Sequence, residues 1–211
     1  MIDTVVAEAV ARMEAANAAR EQAIAASRTL IRQCANTIRA AHRGEFAAAA
    51  GQLAAAASAA AALRAGLRTH PELLFAGYTQ DALKEYAEAA LVCALLQGEP
   101  PPGPAALDVE PAAYLNGLAE AASELRRAIL DGLRTNQVAR AEALLETMDD
   151  IYSQLVTVDY PDAITGGLRR TTDALRAVLE RTRGDVTAAI RQDRLAAALA
   201  AVEARLGPAP E

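Results

Sequence analysis

Between Ile2 and Arg43 the chain contains neither proline nor glycine, so no residue in this stretch readily interrupts a helical backbone. Apolar residues recur at helical spacing through Val5, Val6, Ala9, Met13, Ala16, Ile24, Leu30, Ile31, Ala35 and Ile38, which predicts a single helix about 60 Å long at about 1.5 Å per residue. Gly44 follows His42 and Arg43: basic residues in the last turn and glycine just beyond it form the usual helix stop. A rod of this length needs other helices packed along it. Ala, Leu, Arg and Glu dominate the rest of the chain, while Val, Ile, Thr and the aromatics never form alternating runs, so the expected class is all-α.

Further helices are predicted at Glu45 to Arg68, from Thr69-His70-Pro71-Glu72 to Gly98, and near Ala112–Arg134, Val138–Thr157 and Asp162–Arg183, with Asp162 as a cap. Asp185 is expected to open a last helix that ends before Gly207. The prediction is therefore a single-domain bundle of about seven helices over residues 1–211, with a Pro-rich loop at 99–104 and a short tail from 207. Small side chains around Ala47–Ala62 would let a neighbouring helix approach closely.

Only 3% of the residues are aromatic and none is Trp, so the core must come from closely packed aliphatic helices. Cys34 and Cys93 lie in apolar helical stretches without zinc-type spacing and read as buried thiols, which suits a reducing cytoplasm. The long apolar stretches are read as interrupted by Arg or Glu, so neither a membrane span nor membrane association is expected. A net charge of −6 argues against a generally basic, DNA-coating surface, and any nucleic-acid site must be local.

One local basic feature stands out. Arg28, Arg32, Arg39 and Arg43 are spaced 4, 7 and 4 apart, which puts them within about 60° of one another around the first helix. The stripe reads either as a solvated face or as a phosphate-binding one. Of the 21 basic residues only Lys84 is a lysine, a bias that a GC-rich genome explains as well as phosphate binding does.

Three segments carry a resemblance. Arg20-Glu21, Ser27-Arg28 and Ile38-Arg39-Ala40-Ala41-His42-Arg43-Gly44 resemble the long first helix of the translin family. Leu83-Lys84-Glu85-Tyr86-Ala87-Glu88-Ala89 is similar to the Glu-Tyr-x-Glu-Ala segment of that family's catalytic branch, translin-associated factor X. Tyr114-Leu115-Asn116-Gly117-Leu118-Ala119-Glu120-Ala121-Ala122-Ser123-Glu124-Leu125 resembles its Tyr-Leu-x-Gly-x-x-Asp-Leu-x-Gly-Glu-Leu stretch, with Glu120 in place of Asp and Ser123 in place of Gly.

The resemblance implies a homo-oligomer, an octamer, that binds single-stranded RNA and cuts it as a metal-dependent endoribonuclease, with single-stranded DNA as a further substrate. It carries the catalytic and metal-binding roles to Glu85, Glu88, Glu120 and Glu124, with Mg or Mn as the ion. Physically, Glu85 and Glu88 at i,i+3 and Glu120 and Glu124 at i,i+4 each share a helix face, and each pair repels itself unless solvated or bridged by a cation. Arg28, Arg32, Arg39, Arg43, Lys84 and Arg127 are the candidate phosphate contacts and Tyr86 the candidate base-stacking ring, although Lys84 and Arg127 could equally neutralise the glutamates beside them. His42 and His70 complete no Glu-x-x-His pair, so a di-iron bundle is not expected. Two alternatives remain: a non-catalytic oligomer that encloses single-stranded nucleic acid, and an all-α nucleoside triphosphate pyrophosphohydrolase, whose second motif, Glu-x-x-Asp, is here Glu-x-x-x-Glu.

Overall fold

The computed structural model describes residues 1–206, and no strand occurs among them. Six long helices carry the fold: α1 Ile2–His42, α2 Phe46–Gly66, α4 Gly77–Gln97, α6 Pro111–Arg134, α7 Val138–Leu155 and α9 Leu168–Leu206. Three single turns join them, α3 Pro71–Leu74, α5 Pro104–Leu107 and α8 Asp162–Thr165. The predicted all-α class and the long first helix are both present. The expected tail from 207 lies outside the described residues.

Several boundaries depart from the sequence reading. The helices expected at Asp162–Arg183 and from Asp185 are one continuous α9, with Gly184 inside it. Asp185 opens no helix but pairs with Arg126 at 2.9 Å, an α6–α9 contact that outweighs the weak helix propensity of Gly-Asp. Asp162 is the first residue of α8 and makes no capping bond. The helix expected from Pro71 is interrupted, because Ala76 is extended and caps α4. Pro104, placed in a non-helical loop by the sequence reading, is the first residue of α5.

α4 lies at the centre of the bundle. From Tyr86 to Ala94 every residue is buried, as expected for a helix that is apolar almost all round. It packs against α1, α2 and α6, and α6 packs in turn on α7 and α9. Leu91, Leu125, Ile129, Met148, Leu175 and Leu179 close the core on that side. On the other side Leu30, Cys34, Ala56, Ala60 and Leu83 form a second apolar cluster. Cys34 and Cys93 are both free and buried, as their apolar contexts predict.

α2 corrects the expectation about apolar stretches. Phe46 to Leu63 contains no charged residue, and by length and composition α2 is apolar enough to cross a membrane. Alanine supplies most of that apolarity. Ala49, Ala56, Ala60 and Leu63 are buried, and α2 packs along α1 and α4, where small side chains permit close approach.

Candidate metal and nucleic-acid site

Where α4 meets α6, two facing helix surfaces bring the acidic residues together. Lys84, Glu85 and Glu88 occupy one turn of α4, while Gly117, Glu120 and Glu124 recur at i, i+3 and i+7 on α6 and so share a face. Gly117 fixes the spacing between them. A Cβ at that position would lie 2.8 Å from the Lys84 carbonyl oxygen, 3.1 Å from the Glu88 nitrogen and 3.2 Å from the Ala87 Cβ. The missing side chain thus lets α6 rest on the same turn of α4 that carries Glu85 and Glu88.

Glu85, Glu88 and Glu120 each offer a carboxylate oxygen, and the three oxygens lie within 4.8 Å of one another. Glu88 is only 8% exposed, and its side chain makes no hydrogen bond among the described residues. Burial pushes its carboxyl up to about 8, helped by the charges of Glu85, Glu120 and Glu124 and opposed by Lys84. Glu85 is raised for the same first reason, burial, against the pull of Lys84. The buried Cys34 thiol of α1 is pushed up to about 12, first by burial and then by Glu85 and Glu88, which puts α1 against the same cluster.

Lys84 is the cation already inside the cluster. Its Nζ donates to Glu120 at 2.8 Å and lies 2.7 Å from the other Glu120 oxygen and 3.5 Å from Glu85. Burial alone would lower the ammonium, but the hydrogen bond to Glu120 and the charges of Glu120, Glu85 and Asp81 leave it above its ordinary value. With Glu88 holding a proton at neutral pH, one ammonium still faces the two carboxylates of Glu85 and Glu120, and an all-oxygen donor set that includes a buried carboxyl without a hydrogen bond among the described residues suits a hard divalent ion such as Mg²⁺ or Mn²⁺.

Glu124 stands apart from these three. Its Oε2 accepts a hydrogen bond of 2.8 Å from His42 Nε2, which holds the carboxyl below its ordinary value with the charge of Arg127 assisting. The sequence reading places His42 in the helix stop and gives it no role in the site. The partner it needed is 82 positions away, so no local pattern announces the pair.

The four stripe arginines are all exposed. Arg32 and Arg39 bond to Thr29 and Asn36 on their own helix, Arg43 pairs with Glu45, and Arg28 makes no ion pair among the described residues. They lie roughly opposite the buried face of α1 that carries Leu30, Cys34 and Thr37. Arg127 is exposed on α6. Tyr86 requires a correction: it is 6% exposed and packs in the apolar cluster with Leu30 and Leu83, so its ring is not free to stack on a base. At about 100° per residue it points away from the face that holds Glu85 and Glu88.

Comparison with known proteins gives this arrangement a family. The structure superposes on that of AfC3PO in complex with duplex RNA with a TM-score of 0.83 and 34% sequence identity, covering 90% of this chain and 98% of the other. The chain belongs to the translin family. A second AfC3PO structure gives a TM-score of 0.82 and 33% identity over the same shares. Apo-NeC3PO, at 16% identity over 87% of this chain and 96% of its own, shares the translin fold with a TM-score of 0.78. MJ0175, an uncharacterised protein of Methanocaldococcus jannaschii, is 29% identical over 177 residues, 83% of this chain and 78% of the relative. No family model matches the chain.

Proposed function

We propose that this translin-family chain binds RNA and hydrolyses its phosphodiester bonds as a divalent-metal-dependent endoribonuclease, with single-stranded or unpaired RNA preferred. The observation that carries the reading is the convergence of ligand oxygens from Glu85, Glu88 and Glu120 within 4.8 Å of one another, with Glu88 buried and without a hydrogen bond among the described residues. Its RNA-binding half is supported by AfC3PO, a relative solved with duplex RNA. Glu85, Glu88 and Glu120 would hold Mg²⁺ or Mn²⁺, which when bound polarises a phosphate oxygen and lowers the pKa of water.

The protein's own groups have separable tasks. The trio gathers three carboxyl groups at one point between α4 and α6, and Gly117 keeps the two helices close enough for them to meet there. Lys84 orients Glu120 through both of its oxygens. Arg28, Arg32 and Arg39 offer guanidinium groups to the phosphates of a bound strand, with Arg127 beside the site.

Labelled single-stranded and duplex RNA, each incubated with purified protein and Mg²⁺, Mn²⁺ or chelator, test the proposal. Cleavage that needs the metal and favours the single strand is expected, and a protein inert in both metals overturns the nuclease reading. One observation favours a second reading. Lys84 already neutralises part of the cluster, which suits an RNA-binding oligomer without cleavage, and RNA retained intact in the presence of either metal would select it.

A further inference from the structure

We propose that His42 is a positioning residue that fixes Glu124 beside, rather than within, the Glu85–Glu88–Glu120 trio, so that the trio sets ion affinity and Glu124 serves turnover. The proposal rests on the nuclease reading above. Glu120 and Glu124 are chemically identical and one turn apart on α6, yet only Glu120 has its carboxylate among the converging three. The difference lies in their partners. Lys84 holds Glu120 toward α4, and His42, from the last turn of α1, holds Glu124 toward α1.

The pairing is specific. The His42 side chain is 1% exposed, and its other ring nitrogen, Nδ1, is buried with no partner. Its one hydrogen bond among the described residues therefore goes to Glu124. A buried ring nitrogen without a partner costs stability, so an apolar residue would fill this space at lower cost if packing were the ring's whole task. Glu124 is also close enough to matter to the site, since its charge helps to raise Glu88. Oε1 of Glu124 accepts no hydrogen bond from the protein among the described residues, so Oε2 is held while Oε1 is left for solvent or substrate.

Three substitutions separate positioning from packing. His42→Phe keeps the ring volume and removes the donor. His42→Gln places an amide N–H near the position of Nε2, and His42→Asn carries the same amide one methylene short. In His42→Phe, kcat is expected to fall about 10- to 100-fold, the range for loss of a hydrogen bond that orients a site residue. KM and Mn²⁺ affinity, measured by calorimetry on the RNA-free protein, should be unchanged. His42→Gln should restore kcat, and His42→Asn should not. An Nε2–H resonance of His42 protected from exchange should appear in the metal-free parent.

Intact turnover in His42→Phe overturns the proposal, as does loss of Mn²⁺ affinity in parallel with kcat, which would make Glu124 a fourth ligand. If His42→Phe fails to fold, equal kcat in the Gln and Asn variants overturns it instead. A parent inert toward RNA removes the nuclease reading and the turnover half with it. An absent Nε2–H signal in the parent removes the His42 proposal whatever the activity.

Discussion

Gly117 on α6 sits so close to Lys84 on α4 that a Cβ there would lie 2.8 Å from the Lys84 carbonyl oxygen, and Lys84 in turn grips Glu120, one turn further along α6. The close contact of the two helices at Gly117 and the ion pair that spans them are thus one structural unit. In an exposed helix Gly→Ala would stabilise by about 1 kcal/mol through propensity. Here the methyl meets backbone, which cannot rotate aside, and overpacking costs about 1–3 kcal/mol. Gly117→Ala is therefore expected to lower stability in urea unfolding and, by spreading α4 from α6, to weaken Mn²⁺ binding. A variant as stable as the parent would show that the helices separate at no cost.

Glu88 gives the metal-free protein an unusual pH dependence. Its carboxyl is pushed from an ordinary 4.5 up to about 8, so between those values the folded state holds a proton that the unfolded chain has released. The linkage makes stability fall as pH rises through that window. Glu88→Gln removes the effect and should stabilise the apo protein by on the order of 3 kcal/mol at pH 7, with little difference from the parent below pH 4.5. Ion binding requires that proton to leave, so parent Mn²⁺ affinity should climb with pH and level off above about 8. Glu88→Gln should also abolish metal-dependent cleavage. Unfolding curves of parent and variant at several pH values, with Mn²⁺ titrations alongside, check both signs.

The long helices were legible because their signals are local. An uninterrupted run to Arg43, and a glycine at Gly98 that adopts φ +71° to close α4, need no tertiary information. The trio was partly legible too, since i,i+3 and i,i+4 spacing puts carboxylates on one face before any fold is known. What failed depended on distant partners: Gly184-Asp185 reads as a break until Arg126 is seen to hold Asp185, and His42 looks idle until Glu124 arrives from another helix. Tyr86 is a different kind of miss. Its neighbours in sequence suggested the site, although helical rotation alone points it elsewhere.

The arginine stripe predicts a salt signature. Arg28, Arg32 and Arg39 are exposed and outside the ion pairs of the described residues, whereas Arg43 is occupied by Glu45. Arg28→Ala combined with Arg39→Ala should weaken RNA binding by a similar factor for different sequences, and should flatten the log–log salt slope by about 0.7 per lost contact on a single strand. Filter binding across a salt series reads both quantities. An unchanged slope would assign the stripe to solvent or to a subunit contact.

The ends of α1 and α9 predict assembly. Every residue from 1 to 15 is exposed, as is every one from 191 to 205, and both segments carry apolar side chains at helical spacing: Ile2, Val5, Val6, Val10 and Met13 on α1, and Leu195, Leu199 and Val202 on α9. An isolated helix this short is marginal in water, and helices in proteins owe most of their stability to burying such a stripe. The proposed occupant is a second copy of the chain, in a homo-oligomer larger than a dimer. Light scattering of the parent should therefore give several times 22.0 kDa. Val6→Glu combined with Met13→Glu puts charge into the α1 stripe without touching the trio. It should reduce that mass and the helical signal together while leaving Mn²⁺ affinity intact, because the proposed ligands Glu85, Glu88 and Glu120 all come from α4 and α6 of one chain. A parent that runs as a monomer at micromolar concentration would sink the assembly, and a variant that keeps the parent mass would move the interface away from α1.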